Sequence, residues 1–146
     1  MAKIVVTGAA GFIGSHTVDR LLADGHVVAG IDNLRTGRRE NLVQALGHRR
    51  FRFVEGDILA PGRLLGLAND CGADAIIHLA ALVSVPESME QPELNHRLNY
   101  EATKLVVDVA SRVNSVRRIV FASTAAVYGN NNETPLVEDA ICRPLS

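Results

Sequence analysis

An α/β fold built on a parallel sheet is the class this sequence predicts, on three observations. Five short apolar runs alternate with helical segments along the 146 residues, a glycine-rich turn joins the first run to the first helix, and the runs are near-continuous in apolar residues. Strands covered on both faces look like this, whereas half-exposed strands alternate. Composition agrees, since 47% hydrophobic against 21% charged residues is the balance of a globular domain with one core.

The strands are expected at Lys3–Thr7, Val27–Asp32, Phe51–Glu55, Ala75–Leu79 and Arg118–Ala122. Ile13, Thr17 and Leu21, with Val18 and Leu22, recur at helical spacing, so a helix runs from Gly14 to Asp24 and ends at Gly25. A second helix is expected at Arg63–Asn69. A longer one is expected at Pro92–Val113, with Leu94, Leu98, Leu105, Val109 and Val113 on its apolar side and Pro92 in the first turn, where proline is tolerated. Asn33–Glu40, Val83–Gln91 and Gly129–Leu145, rich in Gly, Asn, Pro and charge, read as loops.

Fifteen Lys and Arg against sixteen Asp and Glu leave no basic field for nucleic acid. No apolar run approaches the roughly 20 residues of a membrane-spanning helix, and the N-terminus enters a strand at once, unlike a signal peptide, so a cytoplasmic protein with no membrane partner is expected. Cys71 and Cys142 are too few and too far apart for a disulfide framework or a zinc site and read as packing residues. The five histidines show no metal-ligand spacing, so no metal is expected.

The chemistry-bearing signal is Thr7-Gly8-Ala9-Ala10-Gly11-Phe12-Ile13-Gly14, between a strand and a helix. Gly8 permits the tight turn, Gly11 lets a pyrophosphate approach the backbone, Gly14 lets helix pack on strand, and the helix start supplies unpaired N–H groups. Asp32 ends the second strand eighteen residues beyond Gly14, near the offset at which a carboxylate accepts from adenosine ribose hydroxyls. Such a carboxylate repels a 2′-phosphate, which favours NAD over NADP. Arg35, Arg38 and Arg39 read as a solvated loop, and Asp57 as a turn former at the end of the third strand.

Several blocks together, TGAAGFIGSH (7–16), DNLRTGRREN (32–41), EGDI (55–58), IHLAA (77–81), VSVPESMEQP (83–92) and FASTAAVYG (121–129), make the chain resemble the extended short-chain dehydrogenases/reductases, most closely their UDP-hexose 4-epimerases. The resemblance covers the whole chain. It implies a Rossmann-type doubly wound parallel sheet, with residues 1–146 as an N-terminal NAD-binding domain that stops before the last strands and the substrate domain. It further implies that Gly8, Gly11, Phe12, Ile13 and Gly14 hold the pyrophosphate, Asp32 and Asn33 the adenosine ribose, and Asp57 and Ile58 the adenine. Leu79, Ala80, Ala81, Asn99 and Ser123 would line the rest of the cofactor. Thr124 matches the family's catalytic Ser/Thr, whose hydroxyl bonds the reacting sugar oxygen, and Val85 opens the stretch that approaches the substrate.

Nucleotide-sugar dehydratases of this type carry Asp-Glu after that Ser/Thr, because loss of water needs an added acid and base. Ala125-Ala126 stand here and transfer no proton, which favours the epimerase reading. Val83 in place of a lysine and Ala102 in place of a glycine are departures from some members. The family's base is a tyrosine with a lysine four residues on, after the Ser/Thr strand. Tyr100–Lys104 has that spacing but precedes the strand and reads as a surface pair, while Tyr128 is followed by Asn132, which cannot do the lysine's work. The family's Tyr/Lys pair follows the Arg143–Ser146 region, so the chain is expected to stop just short of its base. The resemblance thus implies the NAD-binding part of an epimerase that works through a transient 4-keto sugar and, at full length, forms a homodimer. A related nucleotide-sugar decarboxylase or dehydrogenase, and a non-catalytic NAD-binding module, stay open as alternatives.

Overall fold

The computed structural model describes residues 1–130 and 135–145. Strands β1 (Lys3–Thr7), β2 (Val27–Asp32), β3 (Phe51–Glu55), β4 (Ala75–His78) and β5 (Arg118–Phe121) form one parallel sheet in the order β3-β2-β1-β4-β5. Val5 lies in register with Ala29 on one side and Ile76 on the other. The chain starts in the centre, winds out to β3, then returns to build β4 and β5. This Rossmann-type order opens a crevice at the C-terminal ends of β1 and β4, where the winding reverses.

Alternation along β1 sorts the core onto two faces. Ile4 and Val6, with Val28 of β2, pack under α1 (Phe12–Ala23) through Val18 and Leu22, and against Ala45 of the short α2 (Val43–Leu46). Val5, Ile31 and Ile76 pack on the opposite face against Leu64, Leu67 and Ala68 of α3 (Arg63–Cys71) and Val106 and Val109 of α6 (Ala102–Arg112). The remaining helices are α4 (Val85–Glu90) and α5 (Pro92–Asn95), the latter leading through a π-helical turn, His96–Glu101, into α6. Among the described residues, no helix is long and apolar enough to cross a membrane.

The sequence places the strands within a residue at each end, but it misjudges several other features. The first helix starts at Phe12, two residues early, because Gly11 is extended and serves as its cap. A 3₁₀ turn (Arg39–Leu42) and α2 follow Arg38; they bury only Leu42 and Ala45, too short a stretch for a period to show. The expected loop Val83–Gln91 contains α4, capped by Ser84 Oγ accepting from the N–H of Glu87, with Pro86 in the first turn. The helix expected over Pro92–Val113 is interrupted by the π turn. The edge strands β3 and β5 are not covered on both faces, and Val120 and Phe121 stand about half exposed. Cys142 is likewise exposed, whereas Cys71 sits half-buried beside the α3/α6 cluster.

Candidate dinucleotide site

In a parallel sheet every strand ends on the same edge, so the turns after β1, β2, β3, β4 and β5 bring together residues spread from Gly8 to Thr124. The glycine turn is at the centre. Gly8 has φ +68°, and a Cβ there would lie 2.7 Å from the backbone nitrogen of Ala80, so the turn and the chain leaving β4 touch through bare backbone. A Cβ on Gly14 would overlap the carbonyl of Gly8, which is how α1 comes so close to β1. A Cβ on Gly11 would meet only the Gly8 carbonyl, at 3.3 Å, leaving its other side open. No side chain caps α1, and the N–H groups of Phe12, Ile13 and Gly14 find no protein acceptor among the described residues. Phe12 and Ile13 are exposed beside them. An anion fits such a helix start, and a dinucleotide fits the open glycine face and the apolar pair next to it.

Asp32 is buried, and both its oxygens are engaged. Oδ2 accepts from the N–H of Ala10 at 2.9 Å and Oδ1 from the N–H of Leu34 at 2.8 Å. The carboxylate therefore fastens the glycine turn to the loop after β2, and each oxygen keeps acceptor capacity for a ribose hydroxyl. Leu34 is held in the left-handed region at φ +57°, between that bond and the bond from the N–H of Arg35 to Asn33 Oδ1. Asp57 is the expected turn former, accepting from the N–H of Leu59 at 2.9 Å. The side chain of Ile58 is buried in the α3/α6 cluster.

A second fastening, between β1 and β4, was not visible in the sequence. Thr7 Oγ1 lies 3.2 Å from the backbone nitrogens of both Leu79 and Ala80 and 2.7 Å from Nδ1 of His78. Both N–H groups donate to the hydroxyl, so its own proton goes to Nδ1, and this network assigns His78 as a neutral imidazole protonated on Nε2. Burial holds the His78 pKa down at about 4. Leu79, Ala80 and Ala81 are thereby fixed beside the glycine turn.

Asn99, on the π turn, does not point free into the crevice. Its Oδ1 accepts from the N–H of Leu82 at 2.8 Å, and its amide donates to the carbonyl of Leu82 at 3.0 Å and to Asn95 Oδ1. Val85 opens α4 and is exposed. Ser123 and Thr124, just past β5, are exposed, and Thr124 Oγ1 accepts from the N–H of Ala126 to cap the 3₁₀ turn Ala125–Tyr128. Tyr100 is exposed, with its ring 4.8 Å from that of His96, on the helix that precedes β5. Asn132, four residues after Tyr128, lies outside the described residues. Among those described, no cluster of His, Cys, Asp or Glu has the arrangement of a metal site.

A model of the NAD dependent epimerase/dehydratase family matches residues 4–146. The chain belongs to this family. NAD is the family's cofactor, and the site described above presents unpaired backbone donors beside a buried carboxylate. A UDP-glucose 4-epimerase of Mycolicibacterium smegmatis is 43% identical over 145 residues, which are 99% of this chain and 46% of that protein. A UDP-glucose 4-epimerase of Klebsiella pneumoniae is 38% identical over 138 residues, 93% of this chain and 99% of that sequence. The crystal structure of the Brucella ovis UDP-glucose 4-epimerase in complex with NAD superimposes with a TM-score of 0.83 at 34% identity, over 99% of this chain and 42% of that one. The chain thus spans less than half the length of the first and third of these relatives.

Proposed function

We propose that this chain is the NAD-binding portion of a nucleotide-sugar 4-epimerase acting on UDP-hexoses. The observation that carries the reading is the hydroxyl of Thr124 at the C-terminal edge of the sheet, followed by Ala125-Ala126 and not by an acid and a base. Kinship with 4-epimerases at 38–43% identity supports it.

Bound NAD supplies the hydride acceptor and donor for the sugar carbon. The chain's own residues hold and orient. The N–H groups of Phe12 and Ile13 and the open face of Gly11 receive the pyrophosphate, while Asp32 and Asn33 hold the adenosine ribose. Asp57 and the Ile58 backbone flank adenine. Leu79, Ala80, Ala81 and Ser123 line the path toward the reacting end, with Asn99 acting on that wall through the Leu82 backbone. Thr124 already accepts one N–H, so its proton is free to be donated to the sugar oxygen and orient it. Val85 lies on the substrate's side. In the reaction so assigned the proton is taken by the Tyr/Lys pair that the family resemblance implies.

Calorimetric titration tests the cofactor half. NAD is expected to bind more tightly than NADP, and Asp32→Ala to erase the difference; equal affinities in the wild type overturn the assignment. In the enzyme that includes the Tyr/Lys pair, Thr124→Val is expected to lower turnover of UDP-galactose by about 10²-fold or more without changing NAD affinity. Loss of NAD binding in that variant places Thr124 on the cofactor instead.

A further inference from the structure

One ion pair crosses the site. Arg35 Nη2 meets Glu87 Oε1, joining residues 52 apart in sequence, with side chains 33% and 27% exposed. Arg35 follows β2 and Glu87 follows β4, and in the sheet β1 lies between those strands. Both flanking segments touch the glycine turn. The N–H of Arg38 donates to the carbonyl of Ala10 at 3.0 Å, and a Cβ on Gly37 would lie 3.0 Å from the Ala10 carbonyl carbon. On the other flank Ala80 abuts Gly8. A side-chain bridge between these two segments thus spans the strand that feeds the glycine turn, on the edge of the sheet where the helix N–H groups stand unpaired.

Charge gives the bridge a task. A pyrophosphate brings two negative charges, while the turn Thr7–Gly14 contains no ionisable side chain, and the start of α1 contributes only about half a positive charge. Asp32 is acidic and already bonded. Arg39 is turned away, 3.6 Å from Glu55 and over the ring of Phe53. Arg35 meets Glu87 through one nitrogen, which leaves the other donors of a five-donor guanidinium available to an anion.

We propose that Arg35, held across the glycine turn by Glu87, is a binding residue for the pyrophosphate of the dinucleotide, and that Glu87 is its positioning residue. This rests on NAD being bound by this chain at the glycine turn. It also reassigns Arg35, which reads from sequence as part of a solvated loop.

The test is titration of the chain with NAD and, by NMR shift changes, with adenosine, which carries adenine and ribose but no phosphate. Arg35→Gln is expected to weaken NAD about tenfold or more, as loss of a charge-assisted phosphate contact does, and to leave adenosine unchanged. The dependence of NAD affinity on salt should become shallower. Glu87→Gln should weaken NAD less, and should do nothing further in the Arg35→Gln background; Arg35→Lys should recover part of the loss. Equal weakening of NAD and adenosine would mean that Arg35 only shapes the loop, and unchanged or tighter NAD binding would mean that the pair only ties the two segments together. Either result overturns the proposal. If the wild type binds adenosine and NAD equally, the pyrophosphate assignment fails while the ribose site stands; if it binds neither, the cofactor reading fails with it.

Discussion

The two ends of the crevice are built differently. Around β1 and β2 the polar side chains that shape the crevice have partners within the chain: Asp32 ties the glycine turn to the loop beyond β2, and Thr7 ties it to His78, Leu79 and Ala80. Both ties are buried, and the strands beneath them have neighbours on both sides. Around β5 the strand has one neighbour, Val120 and Phe121 are half exposed, and Ser123 and Thr124 stand in solvent beyond it. The half assigned to adenosine and pyrophosphate is thus shaped by the chain's own bonds, whereas the half assigned to the sugar rests on a lightly held edge. A binding surface has to exist before its ligand arrives, and a buried network makes it so.

The sharpest way to break that comparison is at Gly14. A side chain there would push α1 off β1, so Gly14→Val is expected to lower stability by roughly 3–4 kcal/mol in urea denaturation, close to the limit for a single substitution. A loss below ~1 kcal/mol would mean that the close packing of helix on strand contributes little to the first half. Next in size is pH. His78 is neutral and buried, with its folded pKa about 4, below the unfolded value near 6.5. Between these values the unfolded chain binds more protons, so stability is fully present above about pH 6.5 and falls as the pH drops toward 4. The full difference is about 3 kcal/mol. Urea denaturation of the wild type and His78→Gln across this range should give slopes that differ by up to one proton; parallel curves would show that His78 is not held neutral. The smallest effect separates the two threonines. Thr7→Val leaves the Ala80 N–H and an imidazole nitrogen without their shared partner, the Leu79 N–H keeping the Thr7 carbonyl, and should cost ~1–3 kcal/mol, while Thr124→Val, which loses only an exposed cap on a short 3₁₀ turn, should cost ~0.5 kcal/mol. Equal costs at the two sites would erase the contrast between the halves.

What could be read from the sequence follows the same division between local and distant causes. The glycine spacing, the apolar run before it and the carboxylate of Asp32 are each determined within a few residues, and in the structure Asp32 is bonded to the glycine turn through the N–H of Ala10. The strand order needed only the alternation of strand and helix and the glycine turn at its centre. Ser84 and Glu87 held a helix-start signal for α4 that the proline and the polar surroundings masked. The edge exposure of β3 and β5 could not be read, because an apolar run looks the same whether one face or two are covered. Thr7 with His78, Arg35 with Glu87 and Asn99 with Leu82 are pairs that the sheet order creates, and no spacing announces them. The π turn escaped for another reason: its residues keep an overall helical pattern while one turn is widened, which periodicity averages away.

Leu34 shows how the loop after β2 should behave under selection. A leucine in the left-handed region costs roughly 1–2 kcal/mol that glycine or asparagine would not, and branched residues would suffer more. In a library randomised over residues 33–38 and sorted only for folded protein, position 34 should drift toward glycine and asparagine. Sorted for retention of the dinucleotide, the same library should keep whichever residue points position 35 across the turn, even at some loss of stability. The two enrichment profiles would then diverge at one position, recording how much of that strained turn belongs to the architecture and how much to the ligand.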